Sequence, residues 1–433
     1  MMDKFAVRVD PSGGSMGQTV VEKIISRKLG GTRVAPGEIV VLSPDVVMAG
    51  SNTAAMIIRT FNEIGASDVW DRDRIVVVLD HCAPAESVLT ANAHRLLRNF
   101  CAAHGIRLYG EQDGICHDLM IENGHVAPGM FAVGQDSHTP MYGGIGAFGF
   151  GVDTSEMGFI WAVGKTWVRV PHSMRIHLRG TLAPGVFAKD LSLSIIGRLG
   201  SDGCNYRAVE FVGPAVPRLG VSDRLTICNM SVEMGAKATF FPPDDVAEEF
   251  ARQAGVTPAP WAVPDSNAAY EREAEADLSA IEPTVACPHR VDNVAPARAV
   301  VDVPVHQGFI GSCANARIED LAAAAVILRG RRVNPDTRLL IAPTTRSVFV
   351  QAVAHGYITT FLEAGAMVLN PGCGACFGGH QGVLADGEIC ISSSNRNFRG
   401  RLGNAKASVY LASPATVAAS CVAGRIADPR DYL

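Results

Sequence analysis

The chain has 433 residues, 48% of them apolar and 19% charged, with a formal net charge of −5 and a sequence pI near 6.2. That length predicts two to four domains rather than one core, and the acidic balance gives no electrostatic basis for binding nucleic acid or an anionic membrane. The start, MMDKFAVRVDPSGG, lacks the basic-then-apolar pattern of a secretory signal, and the apolar run LAAAAVIL at 321–328 falls far short of the ~20 residues of a membrane span. A cytoplasmic location is expected, and there eleven scattered cysteines point to free thiols and metal ligands rather than a disulfide framework.

In chain order, a helix is expected over 17–29, a strand at EIVVLS (38–43), a helix over 51–64 stopped by Gly65, and a strand at RIVVVLD (74–80). Helix 86–103 and strand MFAVGQ (130–135) follow, then a helix over 154–166 with Thr154 as its N-cap. Strand MRIHLRG (174–180) leads into helices 189–199 and 222–235. After them come strand GFIGS (308–312), helix 317–329 with Gly330 as its stop, strands RLLIAP (338–343), AMVLN (366–370) and EICIS (388–392), and helix 413–423 between Ser413 and Gly424. No period of 20–50 residues recurs, so a solenoid is excluded. Alternation of strands and helices predicts α/β architecture with mainly parallel sheets. Seven of the twenty-four prolines fall between 258 and 304, in a stretch that also holds EREAEAD, and predict an extended surface connection. A second break at VRVPHS gives three α/β domains, at 1–170, 171–297 and 298–433.

Reactive residues collect just after predicted strands. These are Asp80-His81, Asp136-Ser137-His138, Cys313-Ala314-Asn315, Cys373-Gly374-Ala375-Cys376 and Asn395-Arg396-Asn397. Ligands of open α/β sheets bind beyond the carboxyl ends of the strands, so these five termini are expected to share one cleft. Cys373 and Cys376 form C-x-x-C among glycines, with Cys313 sixty residues upstream. Alone, C-x-x-C serves zinc, redox disulfides and ordinary loops alike. There is no second C-x-x-C and no nearby H-x-x-x-H to close a tetrahedral zinc site. Three thiolates amid acids, bases and arginines instead fit a 4Fe–4S cluster with one open iron. The other eight cysteines read as small buried hydrophobes. Asp80-His81, Asp136-Ser137-His138 and His117 in GICHD supply histidine–carboxylate pairs for proton transfer, against the blander role of satisfying backbone at turns. SSSNRNFRGRLG offers Arg396, Arg399 and Arg401 for carboxylate recognition. Gly144-x-Gly146-x-x-Gly149 imitates a dinucleotide fingerprint, but DSHTP fills the place of the tight turn and no acidic ribose ligand ends a strand ~20 positions on.

Taken together, DHCAPAES, GICHD, GQDSHTPMYGGIGAFGFGVDTSE, TICNMSVEMGAKATFFPPD, GSCAN, PGCGAC, SSSNRNFRGR and LASPATVAAS resemble, in order, the signatures of the aconitase superfamily. MGQTVVEKIISRKLG, PGEIV and DLSAIEPTVACPHRVDNV resemble its isopropylmalate dehydratase large-subunit branch. The resemblance implies an aconitase-like fold, three α/β domains around a cluster-bearing cleft, and a hydro-lyase of leucine biosynthesis. Cys313, Cys373 and Cys376 would ligate the 4Fe–4S cluster, and Asp80 and His81 would protonate the departing hydroxyl. His117, Asp136, His138 and Glu233 would form the surrounding hydrogen-bonding set. Arg396 and Arg401 would clamp carboxylates, Asn229, Asn315 and Asn395 would border the cluster, and Ser137 would bind substrate.

The implied substrate is a malate-like 2-hydroxydiacid, first of all 3-isopropylmalate/2-isopropylmalate. Homoaconitate, methylmalate, dimethylmalate and maleate-type substrates belong to similar large subunits. Aconitases also carry a swivelling domain with a serine base, and no GSSR-like segment stands in this sequence. A separate small subunit is therefore expected, in a heterodimer or heterotetramer. Arg399, and Ala55 in place of a substrate-facing glutamine, count against citrate. The competing expectations are a non-catalytic scaffold of the same fold and a zinc hydrolase using the same three thiolates.

Overall fold

The computed structural model describes residues 17–255 and 262–433. Four sheets carry the described chain, and three of them are wholly or mainly parallel. The first is five-stranded, in the order Arg107–Tyr109, Ile75–Val78, Val46–Gly50, Phe131–Gly134, Phe148–Gly151, and every pairing in it is parallel. Ile75–Val78 is buried at all four positions, as expected of a strand covered on both faces. Phe131 and Phe148 stack at 5.2 Å between centroids, fixing the last two strands by aromatic burial worth about 2 kcal/mol per ring.

The second sheet runs Ala238–Phe240, Ala208–Val212, Ser173–Arg179, Arg272–Asp277, again all parallel. Its last strand is EREAEAD territory and corrects the expectation of a surface connection there. Ala274 and Ala276 point inward while Arg175–Glu273 and Arg179–Glu275 pair along the exposed edge. Small inward residues and opposite charges on neighbouring strands suffice to make an edge strand from a sequence of low β propensity. The seven-stranded third sheet contains the parallel strands Gln307–Ile310, Arg338–Ile341, Met367–Val368, Ile389–Ser392 and Ser408–Leu411. Thr284–Ala286 and Val294–Pro296 extend it antiparallel.

The predicted strand at 38–43 forms as Ile39–Leu42, but in a separate antiparallel ribbon with Thr166–Arg169. That pairing requires the helix expected over 154–166 to stop at Val163, where Gly164 takes φ +66°. Its N-cap is also corrected. Asp153 caps the helix by accepting the Glu156 N–H at 2.8 Å, and Thr154 is the first helical residue. Ser413, Gly65 and Gly424 cap as expected, and Gly330, at φ +71°, stops its helix directly after the C-cap Arg329.

The supposed dinucleotide glycines belong to a close contact between layers. Thr139–Ile145 is a 3-10 segment, followed by strand Phe148–Gly151. A Cβ on Gly143 would lie 1.6 Å from the Thr239 carbonyl oxygen, and one on Gly144 2.9 Å from the Leu225 nitrogen. Phe241 N–H donates to the Gly143 carbonyl at 2.9 Å. The 3-10 segment thus packs backbone to backbone on the second sheet's strand Ala238–Phe240 at Gly143, which only glycine permits.

Candidate active site

Each strand end contributes as the sheet order requires. Asp80-His81 follows Ile75–Val78, Asp136-Ser137-His138 follows Phe131–Gly134, and Cys313, Cys373 and Asn395 follow strands of the third sheet. His117 lies in the first turn of the helix Cys116–Glu122. Glu233 arrives from a 3-10 turn, Ser231–Met234, behind the helix Val221–Met230.

Asp80 Oδ1 lies 2.8 Å from His81 Nδ1, and its Oδ2 accepts the Cys116 N–H at 3.0 Å. Burial pushes this carboxyl upward, but the charge and hydrogen bond of His81 outweigh it and hold Asp80 below its ordinary value. Burial likewise opposes charge on His81, and Asp80 reverses that, so the imidazole titrates above its usual range. Ser51 Oγ fixes the backbone here, accepting the His81 N–H at 3.2 Å and donating to its carbonyl at 3.1 Å.

A second network centres on Asp136. Its Oδ1 lies 2.9 Å from His117 Nε2 and accepts the His138 N–H at 2.8 Å. His138 Nε2 is 3.0 Å from Glu233 Oε1, which also accepts from Arg396 Nε at 2.7 Å. Burial pushes both Asp136 and Glu233 upward, and in both the hydrogen bonds from histidine win and leave the carboxyl depressed. His138, disfavoured by burial, is carried upward by Asp136 and Glu233. Ser137 Oγ stands 3.4 Å from the His138 ring.

The thiols lie next to these groups. Cys373 Sγ lies 3.9 Å from Asp80 Oδ2 and 3.8 Å from His81 Nε2. Asn395 Oδ1 lies 4.0 Å from Cys313 Sγ and 3.8 Å from Cys376 Sγ, so one amide touches both sulfurs. Asn229 Oδ1 accepts from the Asn395 amide, locking its orientation. Arg401 Nη2 donates to Cys376 Sγ at 3.0 Å. Burial raises the thiols of Cys313 and Cys373, and nearby carboxylates and the Cys376 sulfur raise them further. The Cys313 loop is strained as well. Ser312 and Ala316, neither of them glycine, take φ +86° and +96°, a conformation that costs about 1–3 kcal/mol per residue and clusters at functional sites.

A family pattern for aconitase (aconitate hydratase) matches residues 22–304 and 295–424. The chain belongs to the aconitase family. Among curated relatives of this aconitase-family chain, a 3-isopropylmalate dehydratase large subunit of Methanopyrus kandleri is 45% identical over 419 residues, covering 96% of this chain and 100% of the relative. One of Hydrogenobaculum sp. is 45% identical over 417 residues, covering 96% and 98%. A probable methanogen homoaconitase large subunit of Methanothermobacter thermautotrophicus is 44% identical over 416 residues, covering 95% and 97%. Among solved structures, holo aconitase X of Thermococcus kodakaraensis overlaps 87% of this chain and 89% of its own at 13% identity, with a TM-score of 0.49.

The family carries a 4Fe–4S cluster, and the donor set here suits one. All eleven cysteines are free. Among the described residues, the one set of three His, Cys, Asp or Glu donors lying within 4.8 Å of one another is Asp80, His81 and Cys373. Cys313, Cys373 and Cys376 therefore do not close to the ~3.8 Å sulfur separation that a single tetrahedral zinc with 2.3 Å bonds demands. Three soft thiols set wider than a single zinc would hold them suit a larger sulfide-bridged group.

Some expected residues stand apart. Arg399 is exposed, as is Ala55, and Asn315 turns its amide to Asp320 at 2.9 Å rather than to a sulfur. Of the other cysteines, Cys82 and Cys287 are only half-buried, and Cys116, though buried, holds Asp80 through its backbone. No helix of the described residues is long and apolar enough to cross a membrane.

Sequence reasoning missed Lys189 and Arg317. Lys189 is fully buried, and its Nζ donates to the Ser393 and Ser394 carbonyls at 3.0 and 2.7 Å, pinning the loop that carries Asn395. Burial lowers its pKa to about 7. Arg317 Nη1 donates to the Cys313 carbonyl at 3.1 Å and lies 3.2 Å from Asp118 Oδ1. Both cations sit at helix starts, where sequence pattern alone reads a solvated charge.

Proposed function

We propose that this chain is the large subunit of a 4Fe–4S hydro-lyase that interconverts 2-isopropylmalate and 3-isopropylmalate, with Cys313, Cys373 and Cys376 as cluster ligands and one iron open. The observation that carries this reading is the approach of Asp80 and His81 to Cys373, on the far side of which Asn395 joins Cys313 and Cys376. The curated relatives at 45% identity favour isopropylmalate. When bound, the cluster supplies a Lewis-acid iron that polarises a substrate hydroxyl.

The residues of the chain do the rest. His81, kept protonated by Asp80, is the proton donor to the departing hydroxyl, with Asp80 fixing Nδ1–H so that Nε2 faces the reacting group. Arg396 and Arg401 bind substrate carboxylates. Arg401 Nε is buried without a partner, and a carboxylate oxygen would satisfy it. Asp136, His117, His138 and Glu233 hold the water and hydroxyl hydrogen bonds, Ser137 stands beside His138 for substrate, and Asn229 and Asn395 border the cluster sulfurs. A small subunit contributes the base that removes the carbon-bound proton, in keeping with relatives named as large subunits. The assembly is a cytoplasmic heterodimer or heterotetramer.

Anaerobic co-expression with a small subunit, then a panel of 2-hydroxydiacids, tests the reading. The highest kcat/KM is expected with isopropylmalate. A second reading, homoaconitate, is favoured by the 44% identical homoaconitase large subunit, and a higher kcat/KM there would replace the first. Stoichiometric zinc without acid-labile sulfide, or a cluster-loaded complex inert toward every diacid, would overturn both.

A further inference from the structure

A buried cation ordinarily has an anion against it, because an uncompensated charge in the interior is costly. Lys189 is fully buried in the helix Ala188–Leu199, and among the described residues no carboxylate pairs with it. The acids whose charge it feels are committed elsewhere. Asp320 accepts the Asn315 amide and the Ala316 and Arg317 N–H groups at 2.9, 2.9 and 3.1 Å. Glu233 faces His138 and Arg396. The adjacent Asp190 turns its two oxygens to the Thr284 and Phe187 N–H groups, both at 2.8 Å. Lys189 Nζ meets neutral acceptors instead, the Ser393 and Ser394 carbonyls and, at 3.2 Å, Met230 Sδ. Three acceptors around one nitrogen select the ammonium over the amine, which has too few hydrogens to serve them all.

Both segments that Lys189 ties together lead to the sulfurs. Met230 follows Asn229 and Ser394 precedes Asn395. These two asparagines bond each other, and Asn395 Oδ1 approaches both Cys313 Sγ and Cys376 Sγ. Burial acts against the charged lysine, and of the groups that favour its charge Cys376 comes first, with Cys313 also among them. We infer that Lys189 is a positioning residue that supplies the counter-charge to the cysteine-bound cluster from behind, holding Asn395 and Asn229 on the sulfurs through Ser394 and Met230. The inference rests on the 4Fe–4S reading. An iron–sulfur core carrying three thiolates is net negative, and net charge together with hydrogen bonds to sulfur sets its potential. Lys189 does not bind substrate, since it is enclosed and its hydrogens are all in use. Arg401 differs in this respect, for it reaches Cys376 directly and leaves Nε without a partner.

The test is an EPR-monitored redox titration of the full-length chain after anaerobic reconstitution. Lys189→Met, similar in shape and uncharged, should lower the equilibrium constant for reduction of the cluster by about tenfold or more, ~59 mV toward negative potential for one electron, the scale of a unit charge acting through protein interior. Lys189→Arg keeps the charge and should stay within about threefold of the wild type. Should Lys189→Met fail to fold or to take up the cluster, Lys189→Gln decides in its place, because it retains an amide donor without the charge and should show the same negative shift. A potential unmoved by the uncharged variants, or moved as far by Lys189→Arg as by them, would overturn the inference. A wild-type chain that assembles no iron and acid-labile sulfide would instead sink the 4Fe–4S reading on which it stands.

Discussion

The cleft and the groove behind the Cys313 loop, which Glu122 and Asp223 line, hold the same kind of residue in opposite states. In the cleft, Asp80, Asp136 and Glu233 each face a histidine, and each is held below its ordinary pKa although burial opposes this. Behind it, burial first and neighbouring carboxylates second push Glu122 and Asp223 up, with no histidine or arginine strong enough to reverse it. Burial is common to both regions. The supply of donors decides whether a buried acid stays charged, and in the cleft the same hydrogen bonds that charge the acids also protonate His81 and His138.

Removing a thiol should break the cleft side most severely. Cys373→Ser is expected to abolish the iron and acid-labile sulfide content and to lower kcat by more than about 10³-fold, the scale of a lost Lewis acid. His81→Asn should leave iron and sulfide intact and lower kcat by about 10²–10⁴-fold, as for a lost general acid. Glu233→Gln removes the charge that His138 and Arg396 share, and a loss of about 10–100-fold is expected, with the pH profile of kcat shifted.

The rear groove answers through stability instead. The native-state pKa of Glu122 is raised from 4.5 to about 7, so the folded protein binds the extra proton. Its contribution is present below pH 4.5 and lost as pH rises through about 7. Glu122→Gln should therefore flatten the decline of stability across that window by up to about 3 kcal/mol, measured by denaturant unfolding at several pH values. The smallest effect belongs to the Cys313 loop. Ser312→Gly relieves a left-handed serine at φ +86° and should stabilise the chain by about 1 kcal/mol net of glycine's entropy.

Much of the cleft was legible because strand ends announce themselves. Apolar β-branched runs such as Ile75–Val78 end abruptly at polar residues, and the sheet order then brings Asp80, Asp136, Cys313, Cys373 and Asn395 to one side. Strands without that signature escaped. Arg272–Asp277 reads as an extended surface connection, since it is made a strand by its neighbours rather than by its own propensity. Lys189 and Arg317 escaped for a related reason. Whether a cation at a helix start meets water or backbone carbonyls depends on what packs over it, and for Lys189 the covering carbonyls lie 204 and 205 residues away.

The bare contact between Gly143 and the Thr239 carbonyl makes this position intolerant of any side chain. A methyl group there would have to push the Thr239 backbone away, so the segment that leaves His138 is held against the second sheet only as long as residue 143 is glycine.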